Sequence, residues 1–347
     1  MIRLIKEHLV KFFLFIGVIL LDILVLCVAI KPTNKEISAP GGLNEVKSFI
    51  QTDTNTKITG SFNTVYVVGI NEPTLLQTWV ASLANYNEIS DIEPSFDLNK
   101  EDNRKSGMIL KSHSLETSVI CSYVHAKKVN PDVKLEATLK GYIVYYYQVN
   151  HKTFQIGDLI TQVYSQKDKT LYDASSGKLA SAIYYLNIGD IVTVIRDNKI
   201  IEIPFDEEIS NEKANRFYYL YKYDINQETV NPKYTINPNI KVYGSSGGLI
   251  QTLSLYAQVS GIDITKGRKI CGTGTISING NVGEIASVSQ KIVTAIHNEA
   301  DVFLCPNENY KEAYDTYIKT PGHNNMEIIV VETFEEALIK LGVNYEI

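Results

Sequence analysis

Tyr243-Gly244-Ser245-Ser246-Gly247-Gly248-Leu249 is the segment that decides how the C-terminal half of this chain folds. Its glycines end where LIQTLSLYAQV (249–259) begins. Leu249, Ile250, Leu253 and Ala257 recur there at helical spacing, which predicts a helix that stops before Gly261. A serine between glycines at a helix start lies where unpaired backbone N–H groups and the helix dipole favour negative charge. Such donors would stabilise an oxyanion formed by attack on a carbonyl carbon, and Gly244 and Gly247 are the backbone positions concerned. Gly-Ser runs before helices also serve as plain caps and loops, so chemistry requires a second element.

Ser287-Val288-Ser289-Gln290-Lys291-Ile292 supplies one. Ser287 and Gln290 have capping-box spacing, which predicts a helix start, and Val288, Lys291, Ile292 and Ala295 then share one face. A lysine on an apolar stripe either snorkels from the core edge or is buried with its pKa drawn below the usual value. In the second state it can take a proton from a serine. Between the two helices lies Ile270-Cys271-Gly272-Thr273-Gly274-Thr275-Ile276, a glycine-punctuated apolar strand that would bring Thr273 beside the ammonium.

From Lys241 onward the chain resembles the proteolytic domain of Lon proteases, and it looks most like the membrane-anchored PDZ–Lon-like proteases of Gram-positive bacteria. The family's Gly-Pro-Ser-Ala-Gly-Leu is matched by residues 244–249, with Ser245 and Gly247 standing for proline and alanine. Ile264-Thr265-Lys266-Gly267, Ile270–Ile276, Ser289-Gln290-Lys291, Ala300-Asp301-Val302-Phe303 and Glu332–Leu338 match further family motifs. Upstream, Thr59-Gly60-Ser61-Phe62 and Val65–Val68 look like the family's first domain. The resemblance implies a serine endopeptidase with Ser246 as nucleophile, Lys291 as general base and Thr273 in support, without histidine. It implies substrates that are peptides or unfolded protein segments, and a homo-oligomer, since such domains often form rings. The family's Gly-Pro-Ile-Gly-Gly before the lysine helix reads Gly283-Glu284-Ile285-Ala286-Ser287 here, and a carboxylate at Glu284 would favour a charged lysine.

Residues 135–206 change character to short strands between turns. Gly141-Tyr142-Ile143-Val144 is followed by turns at Gly157-Asp158 and Gly189-Asp190, with a helix-like stretch over 174–185 between them. This order resembles a PDZ domain, in which Gly141, Tyr142, Ile143 and Val144 would form the loop that binds a peptide carboxylate. A small β-rich domain without peptide binding has the same pattern.

Phe12–Ile30 reads FFLFIGVILLDILVLCVAI, nineteen residues with one charge, long enough to cross a hydrocarbon core of roughly 30 Å. Arg3, Lys6 and Lys11 precede it and Lys31 and Lys35 follow, a positive-inside bias that puts the N-terminus in the cytoplasm and the rest outside. A cleaved signal peptide is the rival, because Cys27-Val28-Ala29 has small residues at the right spacing. The net charge of −6 gives no basic footprint for nucleic acid. Neither HExxH nor a Cys/His zinc spacing occurs, and GxxxxGK[ST] is missing, so no metal, cofactor or ATP is expected. Cys271 and Cys305 sit in apolar strand-like runs and read as buried free thiols or, alternatively, a disulfide.

The expected class is an α+β multidomain protein. Its parts are a cytoplasmic tail (1–11), a transmembrane helix (12–30), a spacer (31–48), an α/β N-terminal region (49–134), a PDZ-like domain (135–206) and a Lon-type α/β proteolytic domain (207–347). Leu75–Asn85 is expected to be helical with Leu76, Val80, Leu83 and Ala84 on one face, residues 92–106 to be a loop, and 107–129 a helix. The functional expectation is an ATP-independent protease at the outer face of the cell membrane. The alternative is a catalytically weak Lon-like protein that binds exported peptides.

Overall fold

The computed structural model describes residues 2–92, 98–148, 151–207, 216–237 and 244–343. Residues 93–97 of the expected 92–106 loop, the stretch 208–215 after the expected domain boundary, and Tyr243 lie outside the described residues. Elements run in the order α1 (Ile2–Ala29), β1 (Lys35–Glu45), β2 (Ile50–Thr52), β3 (Ser61–Asn71), α2 (Leu75–Ser82), β4 (Glu88–Asp91) and α3 (Lys100–Ala126). They continue with β5 (Ala137–Tyr147), β6 (Leu159–Ser165), β7 (Thr170–Asp173), α4 (Leu179–Tyr184), β8 (Ile191–Arg196), β9 (Lys199–Pro204), β10 (Phe217–Ile225) and β11 (Tyr234–Ile236). The last series is α5 (Gly248–Ser260), β12 (Lys269–Gly272), β13 (Thr275–Ile276), β14 (Val282–Gly283), α6 (Val288–His297), β15 (Val302–Pro306), α7 (Tyr310–Tyr317), β16 (Glu327–Val331) and α8 (Phe334–Lys340).

Two compact units are present: residues 1–41 with 67–93, and residues 42–66 with 94–347. In the smaller unit, α1 carries the apolar segment, and Lys11–Ala29 is long and apolar enough to cross a membrane. The expected spacer is not one. Residues 35–45 form β1, and its first half pairs antiparallel with β4 from Lys35 opposite Asp91 to Ser38 opposite Glu88. α2 starts where expected, held by a capping box between Thr74 and Gln77, but ends at Ser82, three residues short of the expected Asn85.

The larger unit is built on parallel strands in the order β16-β15-β12-β3. Its first surprise is β3: Ser61–Thr64 pairs directly with Lys269–Gly272, so the supposed N-terminal region shares a sheet with the C-terminal domain. Side chains alternate between two faces. Ile270, Val302 and Leu304 join a core with α3 and α5, whereas Cys271, Phe303 and Cys305 pack with Val288, Ile292 and Ala295 of α6. A sheet covered on both faces explains the continuous apolar runs of β12 and β15. The cysteines are free, and those in β12 and β15 are buried. α3 begins seven residues before the expected start, at Lys100, because Asn99 accepts the Glu101 and Asp102 amides at 3.0 and 2.9 Å.

The β-rich part has the order β10-β5-β6-β8-β9, with β7 on β6. Both Gly-Asp turns were legible, and the side chains show why. Buried Asp158 accepts the Gln155 amide and a two-pronged bond from Arg196 at 2.7 and 2.6 Å. Buried Asp190 accepts the Asn187 and Gln166 amides. Two expectations fail. Residues 217–225, assigned to the proteolytic domain, pair along β5 and belong to this sheet. Gly141, Tyr142, Ile143 and Val144 are not an open loop but the middle of β5, paired with β10 and, at 142–143, with β6. Gly141 is needed because a Cβ there would fall 2.2 Å from the Ile160 carbonyl oxygen. Gly141→Ala is therefore expected to lower stability by about 1–3 kcal/mol, read from the urea midpoint.

Candidate active site

Thr273 is the first residue beyond the C-terminal end of β12, and its amide donates to Leu304 O at 3.0 Å. The C-terminal end of a parallel strand is where α/β sheets place their sites, in the crevice left where the connections lead to opposite faces. Here α5 starts on one face and α6 on the other. Thr273 touches both. Its hydroxyl donates to the Ser246 carbonyl at 3.0 Å and accepts from Lys291 Nζ at 3.3 Å.

The Ser246 turn is stitched to the strand end. Gly274 donates to Ser246 O at 2.8 Å and accepts from the Leu249 amide at 3.1 Å. It is thus the carbonyl of Ser246, not that of Ser245, that faces Thr273. Ser245 O accepts instead from Ser114 of α3 at 3.2 Å and from the Gly248 amide. α5 then forms as expected and ends at left-handed Gly261, with Leu249, Ile250, Leu253 and Ala257 fully buried.

The two positions at which this turn differs from the motif it resembles, 245 and 247, each make specific contacts. Alanine at 247 would put a Cβ 2.9 Å from Gln251 Nε2 and 3.0 Å from Thr64 Cγ2. Gln251 cannot simply swing aside, because it is nearly buried and its Oε1 takes Ser114 and Ser118 hydroxyls at 3.4 and 3.3 Å. In place of a proline at 245, the turn is fixed from α3. Ser114 holds Ser245, Ser118 donates to Gly248 O at 3.1 Å, and Gly107 O takes the Gly244 amide at 3.2 Å. That last bond runs against one expectation: the Gly244 N–H, expected to be free for an oxyanion, is already engaged by Gly107 O. Among the described residues, the N–H groups of Ser246 and Gly247 have no hydrogen-bond partner. Gly247→Ala is expected to leave the fold within about 1–3 kcal/mol of wild type while lowering turnover more than this would explain, read by denaturation and peptide cleavage on one preparation.

Sequence reading missed Ser114, Ser118, Gln251 and Thr64. A signal was there: Ser114, Ser118 and Ser122 recur every four residues and are all buried in α3. Ser122 bonds back to Val119 O within its own helix, whereas Ser114 and Ser118 also reach the carbonyls of Ser245 and Gly248.

Lys291 is 4% exposed on α6, whose buried residues include Val288, Ile292, Val293 and Ala295. Burial draws its pKa down to about 8 from the ordinary 10.5. No carboxylate contributes to that shift. Glu284, the feared one, is exposed. The ammonium donates to Thr273 and to Ala286 O, at 3.2 Å, and among the described residues it is not hydrogen-bonded to the Ser246 hydroxyl. The helix start differs from the expected capping box. Ser287 has left-handed backbone angles and makes no side-chain cap. The acceptor comes from α7, where Glu312 Oε1 takes the Ser289 amide at 3.3 Å and its hydroxyl at 2.8 Å.

In the β-rich sheet, the Gly141–Val144 backbone is consumed by strand pairing. A groove of about 810 Å³ lies instead between α4 and the start of β10, lined by Lys178, Ser181, Tyr185, Arg216, Phe217 and Tyr219 among others. None of its described lining residues belongs to the Ser246–Thr273–Lys291 group.

A serine turn at a helix start, joined through one hydroxyl to a buried low-pKa lysine, defines a candidate serine-hydrolase site. Residues 238–343 match the family described as the Lon protease (S16) C-terminal proteolytic domain. The match takes in Ser246, Thr273 and Lys291, covers about a third of the chain, and supports a Lon-like serine peptidase in this part of the protein.

Proposed function

We propose that the chain is an ATP-independent endopeptidase in which Ser246 is the nucleophile, Lys291 its general base and Thr273 a positioning residue. The observation that carries this reading is Lys291: a lysine buried without a carboxylate partner, at a pKa of about 8, one hydroxyl away from the Ser246 backbone. A neutral amine takes the Ser246 proton as Oγ attacks the peptide carbonyl, and the Gly247 N–H, with that of Ser246, receives the oxyanion. The ammonium then returns its proton to the departing amine, and water hydrolyses the ester by the reverse exchange. Thr273 holds the ammonium end in place while it turns from Ala286 O to Ser246 Oγ; such catalytic bonds commonly tighten only when substrate binds.

Lys11–Ala29 anchors the chain in this reading, with the folded parts outside the cytoplasm and exported peptides or flexible segments as substrates. The groove beside β10 suits an extended peptide, because a strand laid there can pair with an edge and Lys178 and Arg216 supply cations for a carboxylate. The unmade Ser246–Lys291 bond favours the second reading, a peptide-binding protein with little turnover. Cleavage of an unfolded peptide by wild type, Ser246→Ala and Lys291→Ala separates the two: turnover lost in both variants with binding retained supports the dyad, and equal turnover in all three sinks it.

A further inference from the structure

α2 presents its apolar side outward. At 3.6 residues per turn, Leu75, Trp79, Leu83, Leu76 and Val80 fall on one arc of about 140°. All five are between 40 and 66% exposed. The helix packs by its other side, through buried Ala81 and half-buried Thr78. An amphipathic surface helix normally does the reverse. A continuous exposed patch of Leu, Val and Trp marks a contact surface rather than scatter.

The position of α2 selects the occupant. Its start is tied to the residues that follow α1: the Leu75 amide donates to Lys31 O at 3.0 Å, and Pro32 pairs with Thr74. The Thr33 amide and hydroxyl both donate to Pro73 O, at 2.9 and 2.7 Å. Lys31 is two residues past the last residue of the apolar helix. A helix of eight residues is roughly 12 Å long, and the interfacial layer is roughly 5–7 Å deep on each side of the hydrocarbon. Fixed at that depth, α2 either rises into water with its apolar arc unburied or lies flat with the arc in lipid. Tryptophan is enriched at that level.

We propose that α2 is an in-plane membrane-contact helix, with Leu75, Leu76, Trp79, Val80 and Leu83 seated in the interface of the bilayer that α1 spans. The proposal rests on the anchoring reading above. Its consequence is a second hold on the lipid surface that fixes the orientation of the smaller unit, which a single spanning helix leaves free to swivel.

Trp79 is the sole tryptophan of the chain, so its emission reports this helix alone. The full chain is reconstituted into phosphatidylcholine–phosphatidylglycerol vesicles, with and without lipids brominated near the top of the acyl chain. The expected result is blue-shifted emission, quenching by brominated lipid and a several-fold loss of iodide access. Leu76→Ser with Leu83→Ser should restore iodide access several-fold, while retention after alkaline carbonate washing, which reports α1, stays unchanged. Water-like emission open to iodide, in chains that resist carbonate, overturns the proposal and leaves the anchor standing. A blue shift without lipid quenching also overturns it, since a second copy then covers the face. Lipid quenching in chains that carbonate releases keeps the α2 contact and removes the anchor; release with no lipid quenching removes both.

Discussion

Ser246→Ala and Lys291→Ala are each expected to lower kcat for an unfolded peptide by about 10³–10⁶-fold, and the double variant by little more, because in the proposed dyad the two groups act as a unit. KM should change less than kcat, since neither side chain contributes to holding the peptide before attack. Lys291→Arg is the sharper version. Guanidinium keeps the charge and much of the bulk, but it does not deprotonate in any usable pH range. It should be as inactive as alanine. Lysine as base requires the neutral amine, so wild-type kcat/KM should rise with pH through about 8 and level off above it. Thr273→Val keeps the shape and removes the hydroxyl between Lys291 and the Ser246 carbonyl. A positioning role predicts a loss of kcat much smaller than that of Lys291→Ala, together with a displaced pH midpoint. An unshifted midpoint would make Thr273 merely structural.

The sequence carried the two chemical elements because each is local. A glycine-serine turn before a periodic apolar run and a lysine on an apolar stripe can be read without knowing what lies opposite. What joins them was readable only as a guess about Thr273, because the bond pattern depends on β12 ending where α5 and α6 meet. The errors have one origin, long-range pairing. β1 reads as a spacer because Pro40, Gly41 and Gly42 dominate its composition, yet it pairs with β4 some fifty residues away. Gly141–Val144 reads as a carboxylate loop because glycine before apolar residues suits one. The close approach of Ile160 O requires the same glycine in a strand. Likewise, Leu76, Val80 and Leu83 share one side of α2 and its cap, whereas Ala84 lies past the helix end at Ser82, and periodicity does not tell which side meets protein and which meets lipid or water.

Lys291→Met should stabilise the protein while abolishing turnover. A lysine whose pKa is about 8 folded and 10.5 unfolded binds fewer protons in the native state between those values. Stability therefore rises with pH from about 8 to 10.5 and is lowest, with respect to this group, below 8, where the buried ammonium is charged. The difference of about 2.5 pH units corresponds to about 3 kcal/mol, an upper bound because the bonds to Thr273 and Ala286 O are lost as well. Methionine matches the length of the lysine stem and carries no charge to desolvate. Thr273 still donates to Ser246 O, and exposed Ala286 can pass its carbonyl to water. Urea denaturation at pH 7 should show the variant ahead of wild type by about 1–3 kcal/mol, with the gap closing toward pH 10.5. A gap that is absent at pH 7, or independent of pH, would mean that Lys291 is solvated in the folded state. It would then lack the depressed pKa on which its proposed role as a base depends. A gain in stability paired with lost turnover is the signature of a strained group kept for function.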